Sequence, residues 1–288
     1  MSEIDAKQDR NIFSEDIFLS PRIHPSIRNK EFLSISDLLN EDFIESDKFM
    51  TNKFGHRSQE LTHNHSGSHI LFAGCSETVG EGLALEETWS FNVFKKIKEM
   101  EQVSGYYNIS SGGIGFATLI PNIFKYCKKY GQPKAIFLNL PDILRFYSFE
   151  NDAYNYVNLL EHEIKKDFGR KERPAEYSKF YLLIYHYYLM LEEFCETNGI
   201  KLFSFTWDVK RPEWSEASST QEVFESFNFK TFFKISMNEL LNHIEKYILN
   251  NQDKKEIAIL SRDKVHSGVA INDFWASFIF KKYLERSV

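Results

Sequence analysis

The stretch FAGCSETVGEGL, Phe72 to Leu83, closes the apolar run HILFAG and opens onto ETWSFNVFKKIKEM, Glu87 to Met100. An apolar run of strand length, a turn of small and polar residues, and then apolar residues at helical spacing together predict a strand, a turn and a helix. The alternation continues outward: strands are expected over 68–73, 106–109 and 134–140, and helices over 87–102 and 116–129. Strands that alternate with helices of this length favour parallel pairing through right-handed crossovers, with helices on both faces of the sheet. The predicted fold is therefore three-layer α/β/α around a mostly parallel, doubly wound sheet.

Beyond this core, residues 151–198 read as a helical insertion dense in aromatics, as in KFYLLIYHYYLMLEEF, whose apolar spacing is that of core packing. Asn198-Gly199 then stops the helix, and a strand is expected over 200–205. The loop after it carries Trp207 and Trp214, which suit a stacking platform and a buried anchor equally well. Helices are expected over 232–249 and 268–286, the last packing through Ile271, Trp275, Phe278 and Ile279. Residues 1–66 have no clean period and read as an N-terminal arm or lead-in, which leaves 67–288 as the α/β domain.

A chain of 288 residues with 42% hydrophobic content can bury a large core. A formal charge of -6 lacks the Lys and Arg excess that a phosphate backbone demands, so no nucleic-acid partner is expected. The basic runs at 165–173 and around Lys128 read as solvated helix ends. Cys75, Cys127 and Cys195 are odd in number and far apart, which argues against a disulfide framework or zinc ribbon and for a reducing compartment. The polar, acidic start MSEIDAKQDR is unlike a signal peptide, and no run approaches a membrane span. A cytoplasmic protein with no membrane partner is the expectation.

In parallel sheets the loops at the carboxyl ends of the strands share one crevice, where they present backbone N–H groups. Ser76 stands in such a loop with small neighbours, placed to attack a carbonyl while its own amide donates to the developing oxyanion. At the end of the next strand, YYNISSGGIG offers Gly113 or Gly112 as a second backbone donor. A serine needs an imidazole as base, and the imidazole needs a carboxylate to orient it. In SRDKVHSG, Asp263 and His266 are three apart just before the final helix.

Taken in order, GCSET at 74–78, NISSGG at 108–113, NLPD at 139–142 and DKVH at 263–266 resemble the four blocks of the SGNH (GDSL-like) hydrolase superfamily, whose sheet is flavodoxin-like. The match covers 68 to the C-terminus. It is similar above all to a phage and bacterial variant with GCS in the first block, Trp89 after it, a PD then R pattern at Pro141, Asp142 and Arg145, and Trp275-Ala276 near the end. The lead-in TNKFGHRS is likewise similar to an N-x-x-G-x-R segment that precedes the first block.

The resemblance implies Ser76 as nucleophile, His266 as general base, Asp263 as its partner, and an oxyanion hole from the amides of Ser76 and Gly113. Laid over the third block, NLPD puts Pro141 where the family carries an asparagine donor. Proline has no N–H to give. Asn139, two residues earlier on the same strand face, is the candidate substitute. Cys75 is a second candidate nucleophile by chemistry, but adjacent strand-end side chains face opposite ways and the family pattern favours Ser76.

The expected activity is hydrolysis of a small acyl ester, with an acylated carbohydrate as preferred substrate and no cofactor. The alternatives are an acyltransferase with the same triad and a non-catalytic binding module. His56, His63, His65 and His69 cluster without a carboxylate or thiolate at ligand spacing, so no metal is expected. Asp142 and Arg145 are read as an ion pair bracing the third loop.

Overall fold

The computed structural model describes residues 52, 56–59, 61, 68–150, 153–158, 174–210 and 218–286. In chain order the elements are β1 (Ile70–Gly74), the one-turn helix α1 (Ser76–Val79), α2 (Trp89–Met100), β2 (Tyr106–Asn108), α3 (Phe116–Tyr130), β3 (Ala135–Leu140), β4 (Arg145–Glu150), β5 (Ala153–Asn158), α4 (Pro174–Thr197), β6 (Lys201–Thr206), α5 (Thr220–Phe227), α6 (Met237–Asn250) and α7 (Val269–Glu285). Four strands form one all-parallel sheet in the order β2-β1-β3-β6. This is the expected α/β/α arrangement.

The strand sequences explain the layering. Every residue of β1 and β3 is buried, as a strand covered on both faces must be. Side chains alternate: Leu71, Ala73, Ile136, Leu138, Leu140 and Leu202 join the core beneath α3, α4 and α5. Ile70, Phe72, Ala135, Phe137, Phe203 and Phe205 join the core beneath α2, α6 and α7. Phe72, Phe137 and Phe203 sit at paired register positions on three adjacent strands, with successive ring centroids 5.2 Å apart and nearly parallel. Such pairs add roughly 0.5–1.5 kcal/mol each beyond their burial.

Three elements depart from the sequence reading. The segment read as helical from 151 begins with β5, which pairs antiparallel with β4 from Arg145↔Asn158 to Glu150↔Ala153. The helix that follows packs as its apolar spacing predicts, with Ile184, Tyr188, Leu191 and Cys195 of α4 buried in the core. The helix expected to begin at 232 begins at Met237, and α5 was not anticipated. Residues ahead of α6 lie along β6 instead: Ser204 N–H donates to Thr231 O at 2.9 Å and Phe233 N–H donates to Ser204 O at 2.8 Å.

The opposite edge is covered by the lead-in. Gln59 Oε1 accepts from Tyr106 N–H at 2.7 Å, Ser58 Oγ accepts from Asn108 N–H at 3.0 Å, and Gln59 N–H donates to Tyr106 O at 3.2 Å. In the same lead-in the buried Arg57 guanidinium donates to the carbonyls of Val79 (3.2 Å), Gly80 (2.8 Å) and Leu83 (2.8 Å). It therefore clamps the chain just after α1. Burial pushes Arg57 down to about 10, which leaves it charged at neutral pH.

Candidate active site

The turn that follows β1 is where the sequence placed its nucleophile. Cys75 is the N-cap of α1 and Ser76 its first residue. The two side chains have different fates. Cys75 is fully buried in the α3–α5 core, and burial pushes its thiol up, opposed by the charge of Arg145. A protonated, enclosed thiol is a packing group. Ser76 is buried, 6% exposed; its carbonyl accepts from the N–H groups of Gly80 (2.9 Å) and Glu81 (3.3 Å).

The loop before α7 is built around one carboxylate. Asp263 Oδ1 accepts from Ser261 Oγ–H (2.6 Å), Val265 N–H (2.9 Å) and His266 N–H (3.0 Å), while Oδ2 accepts from His266 Nδ1–H at 2.7 Å. Burial works to raise the Asp263 carboxyl, but these donors outweigh it and hold the group down at about 2. The ring is thereby fixed with Nδ1 toward the carboxylate, and Nε2 faces the other way. Lys264 takes a left-handed conformation at φ 61 to close the loop.

This loop docks on the Ser76 turn. Gly82 has φ 75, and a Cβ there would lie 2.5 Å from Ser261 Oγ and 2.8 Å from Asp263 Cγ. Its carbonyl accepts from Arg262 N–H at 3.1 Å. Ser267 N–H donates to the Glu77 carboxylate at 3.2 Å, and His266 Nε2 lies 3.6 Å from Glu81 Oε2. Residues that follow Ser76 in the chain thus meet His266 and its neighbours. Gly82→Ala is expected to cost about 1–2 kcal/mol in backbone strain alone and to push Asp263 from its place. Thermal unfolding of the variant checks the cost.

Neither Glu77 nor Glu81 was anticipated from the sequence. Both are buried, and burial pushes both carboxyls up, Glu81 to about 7. For Glu81, Asp263 and Glu77 push the same way, while His266 and Arg145 oppose them. No local spacing signalled the pair, because α1 ends at Val79 and Gly80 turns left-handed, so Glu77 and Glu81 share no helix face.

The other expected site residues fall as follows. Gly113 has φ 72 and a Cβ there would meet nothing within 4 Å, so its backbone borders open space beyond β2, with Gly112 beside it in the chain. Asn139 is fully buried at the end of β3; its Oδ1 accepts from Trp207 N–H at 3.0 Å, and its Nδ2 makes no hydrogen bond among the described residues. Asp142 Oδ1 accepts from Leu144 N–H at 2.8 Å, and Arg145 N–H donates to Asp142 O at 3.2 Å. The Arg145 guanidinium lies 5.5 Å from the Trp207 ring centroid. Trp207 is half-buried between the two cores, and Trp214 lies outside the described residues.

His56 Nδ1 pairs with Ser110 O at 3.1 Å, and burial pushes the ring down to about 4. His69 packs on Tyr107 and Tyr126, while His63 and His65 lie outside the described residues. Among the described residues the one grouping with metal-ligand proximity is Glu81, Asp263 and His266. Asp263 is already saturated by four donors there. Among the described residues, no helix is long and apolar enough to cross a membrane.

No protein-family model and no curated protein matches the chain. Solved structures similar to it include the psychrotrophic esterase EstA from a Pseudoalteromonas species, at 13% identity and TM-score 0.45, covering 76% of this chain and 100% of that one. The acetyl xylan esterase AlAXEase is similar at 16% identity and TM-score 0.42, covering 74% and 98%. TesA is similar at 10% identity and TM-score 0.42, covering 74% and 97%.

Proposed function

We propose that the chain is a serine ester hydrolase of the SGNH type, acting on a small acyl ester and preferentially on an acylated carbohydrate. The observation that carries this reading is the Asp263–His266 hydrogen bond of 2.7 Å in a loop docked on the turn that holds Ser76. In the proposed reaction the Ser76 oxygen forms a bond to the ester carbonyl carbon as its proton passes to His266 Nε2. The tetrahedral intermediate collapses, the C–O bond to the alcohol breaks, and the alcohol leaves with that proton. Water, deprotonated by the same nitrogen, then releases the acid and frees Ser76.

The amides of Ser76 and Gly113 are the proposed oxyanion donors. The buried, unengaged Nδ2 of Asn139 supports it as the third, in place of the family asparagine that Pro141 displaces. Losing one such donor typically costs about a hundredfold in rate.

Pro141 also favours a second reading, a non-catalytic binding module on the same scaffold. A fluorophosphonate probe separates the two. Labelling of the wild type that vanishes in His266→Ala is the expected result, and an unlabelled, correctly folded wild type would establish the module. An acyltransferase would label equally, but would transfer the acyl group to an added sugar faster than to water.

A further inference from the structure

The strongest unassigned feature is a buried carboxylate aimed at the one ring nitrogen the relay needs free. Asp263 occupies Nδ1 of His266, so a serine proton can be taken only at Nε2. Glu81 Oε2 stands 3.6 Å from that Nε2. The residue is 3% exposed and hydrogen-bonded through its main chain to the carbonyl of Ser76 at 3.3 Å. It therefore approaches the imidazole from the same turn as the nucleophile.

We propose that Glu81 is a positioning residue of the relay: its carboxylate competes with the Ser76 hydroxyl for His266 Nε2, and so sets the pH below which the imidazole stops acting as a base. The inference rests on the reading of His266 as that base. The groups facing the pair are Asp263 from the loop before α7, Glu77 from α1 and Arg145 from β4. With its carboxyl pushed up to about 7, Glu81 exchanges a proton in the range where a histidine does.

The sign follows from electrostatics. An ionised Glu81 beside Nε2–H stabilises the imidazolium, and an imidazolium cannot accept the serine proton. Activity appears as pH rises and that proton leaves. Glu81→Gln keeps the shape and removes the charge, so His266 should deprotonate earlier and the acidic limb of kcat/KM should move to lower pH. A full opposite charge this close typically shifts a titration by about one unit or more; Glu81, pushed up to about 7, carries only part of that charge over the acidic limb, so the displacement is smaller.

The test combines pH profiles of kcat/KM on p-nitrophenyl acetate with NMR titration of the His266 ring in wild type, Glu81→Gln and Glu81→Asp. The expected result is a downward displacement of both readouts for Glu81→Gln, below the about one unit that a full opposite charge gives, with a smaller one for Glu81→Asp, whose carboxylate is drawn back by one methylene. A purely structural role would change turnover or melting temperature without moving either midpoint. Identical His266 midpoints in wild type and a folded variant overturn the proposal, and Glu81→Asp serves if Glu81→Gln does not fold. The NMR arm needs no turnover. A displaced midpoint in a protein without esterase activity supports the Glu81–His266 coupling and overturns the hydrolase reading alone.

Discussion

Ser76→Ala is expected to lower kcat on an activated ester by about a millionfold, because removing the nucleophile of a triad abolishes the acyl-enzyme route altogether. The residual rate would come from the backbone donors and substrate binding. His266→Ala should cost about as much, and the double variant little more than either, since the two act as one unit. Asp263→Asn should cost about 10⁴-fold, because an amide facing Nδ1 favours the wrong tautomer. Cys75→Ala is the control: its thiol is enclosed in the core on the far face, so turnover should stay within a few-fold of wild type. Steady-state kinetics with circular dichroism on each variant decide the matter. Activity lost in Cys75→Ala and kept in Ser76→Ala would reverse the assignment.

The second large effect concerns stability. Arg57→Ala should destabilise the fold by about 3–5 kcal/mol, because three carbonyls lose a charged donor, each such bond being worth about 1.5–3 kcal/mol before relaxation. For a chain of this size that corresponds to a fall of about 10 °C in Tm. Arg57→Lys should recover only part of it, since a single ammonium cannot span acceptors as far apart in the chain as Val79 and Leu83. The clamped segment carries Glu81 and Gly82, so kcat/KM should fall together with stability. A Tm within about 2 °C of wild type in Arg57→Ala would show that the clamp is dispensable.

The sheet was readable because its strands are buried on both faces and therefore apolar throughout, as HILFAG shows, and because helices of ordinary length separate them. The Asp263–His266 contact was readable because an aspartate three residues before a histidine closes through one local turn. The missed elements fail for different reasons. Helix α5 carried a legible start signal, Ser219 with Glu222, whose reciprocal hydrogen bonds form the capping box, but its eight residues are too few for periodicity to register. The start of α6 was drawn too early because Phe232 and Phe233 look helical by composition, whereas the backbone there serves the edge of β6. Glu81 was invisible for a third reason. Its burial and its proximity to His266 depend on two pieces of chain some 185 residues apart coming together, and no local pattern encodes that.

On one side of the sheet an amide and a hydroxyl from Gln59 and Ser58 occupy the hydrogen-bonding positions of β2, and on the other the chain around Thr231 to Phe233 does the same for β6. A parallel sheet with bare sides is a template for recruiting further strands, including those of other molecules. Here each side is met by groups that take up ladder positions of the edge strand. Fragments that begin after residue 60 would lose one of these stoppers, and should form intermolecular β-aggregates under conditions where the full chain stays dispersed.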